Sequence, residues 1–281
     1  MTKRRPAVAG LFYESTARSL ADQIRACFRS PLGPGEEPSG EVRGGPLPVL
    51  ISPHAGYVYS GPVAAHGYLL LGKLPRPKRI VVIGPNHFGI GSEVSIYPSD
   101  AWLTPLGEAR IDTEMAYRIS RTSDIFSLDE FSHSREHSIE VQVPFLQYIY
   151  GEITFVPILM LDQSMEAALH VGEALSDAVD DVDGTLVVAT TDFTHYEPHD
   201  EAVRRDLPVI DQLIEADVVG FYREMERRNA SLCGYGAAAA SLVYAARKGF
   251  KRGRLLKYAT SGDVTGDKRS VVGYASIVYE R

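Results

Sequence analysis

The chain alternates short, almost wholly apolar runs with longer segments in which apolar residues recur every three or four positions. Runs of the first kind are typical of strands buried on both faces, and segments of the second kind are typical of amphipathic helices. The apolar runs predict strands at 47–52, 79–84, 92–97, 153–160, 185–190, 255–260 and 271–280. The periodic segments predict helices at 15–29, 61–74, 112–121, 136–150, 164–179, 200–216, 218–228 and 236–249, the fourth bent near Pro144.

This order of elements predicts an α/β fold. Strands that alternate with helices form a mostly parallel mixed sheet, flanked by helices on both faces. A stretch rich in Gly, Pro and Glu, 30–46, is predicted to be a surface loop and not a domain boundary, because only one helix precedes it. We therefore expect one domain over residues 1–281, which is within the usual size range for an α/β domain.

Charge and cysteine content narrow the class of protein. A net charge of −7 without a long basic run argues against nucleic-acid binding. The apolar stretch after the basic opening is too short for a signal peptide or a membrane span. The two cysteines, Cys27 and Cys233, do not suggest a disulfide framework, and Cys27 on the apolar face of the first helix is predicted to be a core residue. We expect a soluble cytoplasmic protein with neither nucleic-acid nor membrane partners, and we leave its oligomeric state open.

Ligand-type side chains follow three of the predicted strands. His54 follows strand 47–52, His87 follows 79–84, and Asp192 and His195 follow 185–190. Ligands of open α/β sheets bind beyond the carboxyl ends of the strands, so these residues are predicted to share one site. A single loop histidine commonly just bonds a carbonyl or water. The recurrence at three strand ends is what favours a site.

The other polar candidates are predicted to be structural or solvated. His66 and His170 fall inside helices, where packing or surface roles are expected. His133 and His199 are predicted in solvated loops, and Glu136 is predicted to be solvated as well. Nucleotide-binding glycine motifs and the GxSxG nucleophile motif are absent from the sequence.

A metal centre is the chemistry that these residues favour. Cys233 stands just before a predicted helix, whose N-terminus would stabilise a thiolate. Thiolate and imidazole suit iron, copper or zinc, and a set of two imidazoles and one thiolate would leave positions open for a substrate. A buried, inert thiol is the alternative for Cys233. His137 and Glu140, three positions apart, could be ligands, an acid/base pair or an interhelical hydrogen bond, and pocket lining is favoured.

Several motifs together resemble those of the Memo family, which is related to the class III extradiol dioxygenases. The matching pieces are SPHAGYVYSG, GPNHFG, EHSIEVQVPFL, TTDFTHY and LCGYG, in that order, with AGLFY near the start. The resemblance covers nearly the whole chain and implies a single α/β domain like that of the extradiol dioxygenases. It implies a metal held by His54, His87 and Cys233, with Asp192 and His195 in the same pocket. Prokaryotic relatives resemble one component of a three-part system that includes a radical-SAM protein, which is a candidate partner.

The third ligand departs from the dioxygenase pattern. Extradiol dioxygenases hold iron with two histidines and a carboxylate, whereas Cys233 stands at the matching third position here. A softer thiolate favours lower-valent iron or copper. The oxygenase chemistry is therefore not implied automatically.

We expect a metal-dependent, dioxygenase-like oxidoreductase that acts on a small phenolic or enediol-like substrate. Fe(II) is the favoured ion, with copper or zinc as alternatives. His195 would act as general acid/base oriented by Asp192, and His137 would complete the pocket. Asn86, Tyr57 and Glu140 are expected to line the pocket or lie behind the ligands.

Two other functions fit the same pocket. One is a non-catalytic module that binds a peptide or a small ligand. The other is metal-assisted hydrolysis, in which Asp192 or His195 activates water.

Overall fold

A mixed sheet runs through the computed structural model, which describes residues 3–39 and 44–281. Its strands over those ranges are β1 (Lys3–Arg4), β2 (Val49–Ser52), β3 (Arg79–Pro85), β4 (Val94–Ile96), β5 (Ala101–Thr104), β6 (Gly107–Ile111), β7 (Ser127–Leu128), β8 (Ile153–Met160), β9 (Thr185–Thr190), β10 (His195–Glu197), β11 (Gly253–Thr260) and β12 (Val271–Tyr279). They lie in the order β1-β5-β6-β8-β3-β9-β2-β12-β10, with β4 also beside β8, β7 beside β4, and β11 beside β12.

Helices connect most of these strands. They are α1 (Ala17–Arg29), α2 (Tyr57–Gly72), α3 (Thr113–Ser120), α4 (Val143–Tyr150), α5 (Met165–Ala178), α6 (His199–Ile214), α7 (Val218–Arg228), α8 (Tyr235–Arg247) and α9 (Ser261–Thr265), with a 3-10 turn at Glu140–Gln142. Among the described helices, we find none that is both long enough and apolar enough to cross a membrane.

Five neighbouring strands, β6, β8, β3, β9 and β2, run parallel and form the centre of the sheet. Both of its faces are covered. Val187 of β9 packs in a cluster with side chains of α3 and α5 to α8, while Val188 packs in a second cluster with side chains of α1, α2 and α4. Burial on both faces explains why the central strands are almost wholly apolar in sequence. The prediction of a mostly parallel mixed sheet flanked by helices in a single α/β domain is confirmed.

The predicted helix 136–150 is shorter than its apolar pattern suggests. Regular helix begins only at Val143, with Pro144 in its first turn, where a missing backbone N–H costs nothing. The backbone N–H groups of His137 and Ser138 instead donate to the carboxylate of Glu136. His137 therefore lies before the helix and does not share a helix face with Glu140.

Several short elements lack a sequence signal. β6 is exposed at three of its five positions, so it shows no continuous apolar run, and β1, β5, β7, β10 and α9 are similarly short. Helix α2 begins at Tyr57, earlier than predicted, and includes Pro62. The predicted surface loop 30–46 has no regular element at 30–39 or 44–46, and its residues 40–43 lie outside the described part of the chain.

Candidate metal centre

Two parallel strands of the central sheet, separated by one other strand, carry His54 and His87 to the same edge of the sheet. β9 lies between β2 and β3, and each histidine follows its strand by two residues. The two ring centroids are 5.1 Å apart, and the Sγ atom of Cys233 lies 3.0 Å from Nε2 of His54. One donor atom from each of these three residues lies within 4.8 Å of the other two. The structure thus brings the three predicted ligands together.

The loop after β9 positions Cys233. The backbone N–H of Cys233 donates to the carbonyl of Asp192 at 3.3 Å, and the N–H of Asp192 points at Sγ at 3.2 Å. Gly234 donates to Oγ1 of Thr191 at 3.0 Å. A Cβ atom at position 234 would lie 2.1 Å from the carbonyl oxygen of Thr190, so this close approach requires glycine.

Hydrogen bonds fix the orientation of His54. Its Nδ1 lies 2.7 Å from Oγ1 of Thr190, and its backbone N–H donates to Oδ1 of Asp192 at 2.8 Å. Burial, followed by the nearby histidines, lowers the pKa of His54 well below its ordinary value. The ring is therefore neutral at pH 7, with Nε2 directed toward Cys233, which is the form of histidine that binds metals.

A buried carboxylate holds His87. Oε1 of Glu136 lies 2.9 Å from Nδ1 of His87, and Oε2 accepts the backbone N–H of His87 at 2.6 Å. Burial alone would raise the pKa of Glu136, but the hydrogen bond from His87 and the backbone N–H donors outweigh it and lower the pKa to about 2. A charged carboxylate behind an imidazole is the usual support of a metal-binding histidine.

The prediction that Glu136 is solvated is wrong, because its side chain is fully buried and is surrounded by N–H donors. Its place beside His137 in the motif EHSIEVQVPFL was the signal that could have pointed to it.

His137 lines the same cluster. Its ring stacks on that of His87, with centroids 4.6 Å apart and planes 18° from parallel, and its centroid lies 5.7 Å from that of His54. The ring of Phe12 lies 4.7 Å away. Burial lowers the pKa of His137 to about 4, so this ring is also neutral at pH 7.

Asp192 and His195 form a second group of donor atoms with Cys233. Donor atoms of the three residues are within 4.8 Å of one another. His195 is oriented by Ser231, whose carbonyl lies 2.8 Å from Nδ1, and not by Asp192, which accepts the backbone N–H of His54. Burial raises the pKa of Asp192 to about 7, and the backbone N–H donors of His54 and Ala55, together with the nearby His87, only partly offset the effect.

The expected stabilisation of the Cys233 thiolate by a helix N-terminus is not what the structure shows. Burial, and next the Asp192 carboxylate, raise the pKa of the Cys233 thiol well above its ordinary value. Only Gly234 separates Cys233 from the start of α8, but low-dielectric surroundings outweigh the helix dipole at that position.

The three residues predicted to line the pocket support its loops. Asn86 donates to the carbonyl of Ile90 at 2.7 Å and so closes the loop that carries His87. The hydroxyl of Tyr57 donates to the carbonyl of Val141 at 2.6 Å, and Glu140 is paired with Arg4.

Two of the remaining histidines differ from prediction. His133 is fully buried and bonds Oγ of Ser95 at 3.2 Å, so the prediction of a solvated loop residue is wrong. His199 begins α6, with Nδ1 2.9 Å from Oγ1 of Thr260, and is not a loop residue. His170 is exposed on α5, as predicted.

Two further predictions agree with the structure. Cys27 is buried in the second cluster, and His66 of α2 is partly buried, with Nε2 at hydrogen-bond distance, 3.0 Å, from the carbonyl of Leu32.

The donor set at the sheet edge fits a transition-metal ion. Bonds of about 2.1 Å to nitrogen and 2.3 Å to sulfur place the two donor atoms roughly 3 to 4 Å apart on one ion. The 3.0 Å between Nε2 of His54 and Sγ of Cys233 agrees with this range. Two imidazoles, each held at Nδ1, and one thiol could therefore bind such an ion after the thiol loses its proton.

Fold and site together define an α/β protein with a His/His/Cys cluster at the carboxyl edge of a parallel sheet. Residues 4–278 match the family model of Memo-like proteins. MEMO1 family proteins of Methanopyrus kandleri and Methanothermobacter thermautotrophicus are 48% and 47% identical to the chain, and the alignments cover 99% and 98% of it and 99% of each relative. The chain belongs to the Memo family, which confirms the resemblance.

A solved structure shares the fold. The crystal structure of an uncharacterized protein from Escherichia coli K12 matches with a TM-score of 0.56 and 16% identity, over 83% of this chain and 99% of that one. At that identity, the likeness concerns the architecture alone.

Proposed function

We propose that this protein is a metal-dependent oxidoreductase that acts on a small phenolic or enediol-like substrate. The convergence of His54, His87 and Cys233 donor atoms within 4.8 Å is the observation that supports it. Fe(II) is the ion that we favour, with copper or zinc as alternatives, because imidazole and thiolate bind all three.

A bound ion, His195 and His137 would have different roles in the reaction. A bound ion would supply Lewis acidity and electron transfer. His195, held at Nδ1 by the Ser231 carbonyl, would use Nε2 to take a proton from a substrate hydroxyl and return it. The stacked ring of His137 would form a wall of the pocket beside His87.

Metal analysis of the protein prepared anaerobically with Fe(II) tests the proposal. We expect about one ion per chain in the parent and near-complete loss in His54→Ala/His87→Ala, because two of three ligands are removed. His170→Ala, an exposed histidine on α5, should retain the metal. Full retention of iron by a folded double variant would contradict the proposal.

The alternative is a binding module that uses the same pocket. The large apolar side chains that follow His87 and His195 in the sequence, Phe88 and Tyr196, are exposed. Measurement of oxygen uptake with catechols distinguishes the oxidoreductase from the binding module and from a hydrolase. Uptake that depends on the metal supports the oxidoreductase, while peptide binding by metal-free protein without uptake supports the module. Turnover that needs no oxygen would support hydrolysis.

A further inference from the structure

A buried arginine near the N-terminus, Arg4, contacts the segment that carries His137 beside the candidate metal centre. Arg4 is 6% exposed, and its guanidinium donates in three directions. Nε donates to the carbonyl of His133, Nη2 to the carbonyl of Glu136, and Nη1 to Oε2 of Glu140, each at 2.6 Å. Its Cζ atom also lies 4.1 Å from the centroid of the Trp102 ring. Arg4 therefore holds the segment that runs from His133 to Glu140.

Glu140 collects donors from the N-terminal arm, which we define as residues 4–13. Besides Arg4, it accepts the backbone N–H of Ala7 at 2.8 Å, that of Val8 at 3.0 Å and the hydroxyl of Tyr13 at 2.8 Å. Both ends of the arm are thus bound to one buried carboxylate. A buried ion pair with its remaining positions satisfied in this way holds its partners in a single geometry.

The arm also contacts both histidine loops. The ring of Phe12 packs 4.7 Å from that of His137. The carbonyl of Phe12 accepts the backbone N–H of Tyr57 at 2.7 Å, at the start of α2 and three residues after His54. The carbonyl that Arg4 holds belongs to Glu136, whose carboxylate holds His87. One bound segment therefore touches the supports of both predicted histidine ligands.

We infer that Arg4 is a positioning residue for the candidate metal centre. It acts through the carbonyl of Glu136 and the carboxylate of Glu140 to hold the segment that carries His137 and, through the Glu136 carboxylate, the ring of His87 at the position that binds the ion. The inference rests on the proposed function, since it concerns metal affinity. Arginine is required because its planar fork directs N–H groups from three separate nitrogens to three acceptors, whereas all the N–H groups of lysine belong to one nitrogen.

Titration with Co(II), followed by its visible absorption, tests the inference. We expect Arg4→Gln to weaken Co(II) binding about 10- to 100-fold, the usual effect of losing a group that orients metal ligands. Arg4→Lys, which keeps the charge opposite Glu140, should weaken it as well and covers the case in which Arg4→Gln does not fold.

Two controls separate positioning from general destabilisation. Arg5→Gln changes the exposed neighbour of Arg4, and Tyr279→Phe removes a buried hydrogen bond to the carbonyl of Leu213 at the opposite end of the sheet. Both controls should bind Co(II) within twofold of the parent. Equal losses in Tyr279→Phe and Arg4→Gln, or parent-like affinity in a folded Arg4 variant, would overturn the inference.

A second measurement does not need the metal. Ring ¹⁵N signals of His87 and His137 in the metal-free protein should move in both Arg4 variants, while those of His170 should stay. If the parent binds no Co(II), the proposed function fails, and the ring signals still decide the role of Arg4. Unchanged signals for His87 and His137 would exclude positioning.

Discussion

The carboxyl groups near the cluster show how local donors decide the charge of a residue. Glu136 accepts the Nδ1 side of His87 and three backbone N–H groups, and its pKa falls to about 2 despite burial. Asp192 has fewer such donors, and burial raises its pKa to about 7. Hydrogen bonds that favour the charged form compete with desolvation, and the number of donors decides which effect is larger.

Gly234 provides a test of the close approach between the Cys233 loop and β9, also at the scale of a single residue. In Gly234→Ala, the new Cβ would lie 2.1 Å from the carbonyl oxygen of Thr190, so the Cys233 loop must move away from β9. We expect a loss of at least about 2 kcal/mol in the free energy of unfolding, measured by urea denaturation. Gly44→Ala, where a Cβ meets nothing within 4 Å, is the control and should change little. An unchanged Gly234→Ala protein would contradict the close approach.

At the scale of elements, one carboxyl group joins a helix to two strand segments. Asp206 of α6 is buried, accepts the backbone N–H of Thr194 at 3.0 Å, just before β10, and accepts the hydroxyl of Tyr258 in β11 at 2.8 Å. Burial raises its pKa to about 6, against the lowering effect of these donors. The stability that Asp206 contributes by joining α6 to the sheet therefore depends on pH.

Asp206→Asn should change the pH dependence of stability. Because the folded pKa lies above the ordinary 3.8, the contribution of this group is complete below that value and is lost as pH rises through about 6. We expect the variant to gain stability relative to the parent between pH 4 and 6, by at most about 3 kcal/mol. Urea denaturation at several pH values measures it. The exposed Asp211→Asn on the same helix is the control, and parallel pH curves for Asp206→Asn and the parent would refute the prediction.

At the scale of the whole molecule, the central sheet joins the two apolar clusters. Successive residues of β9 point to opposite faces, so Val187 and Val188 belong to different clusters although they are neighbours in sequence. Neither cluster can lose its packing without exposing one face of the same strands. We therefore expect both clusters to unfold together.

Val187→Ala and Val188→Ala test this coupling. Each removes two buried methyl groups and should cost about 1.5 to 3 kcal/mol. Each should shift the whole denaturation curve, with far-ultraviolet circular dichroism and the fluorescence of Trp102 changing together. Because Trp102 lies in the cluster of Val188, a variant at Val187 that shifted only the dichroism curve would show that the clusters unfold separately.

The hydrophobic pattern predicted the central strands and most of the helices, because a strand buried on both faces and an amphipathic helix each impose a periodicity on the sequence. It also placed His54, His87 and His195 at the ends of strands. Exposed strands such as β6 impose no such pattern and were missed.

The amino-acid sequence by itself determined the class of fold, the central strands and which strand ends carry histidines, because each of these follows from local burial. Tertiary structure alone decided that β9 lies between β2 and β3, that Cys233 meets His54 across 179 positions, and that Glu136 is buried behind His87. Strand order and the charge of a buried group depend on contacts between segments far apart in the chain. A periodic pattern within one segment carries no information about those contacts.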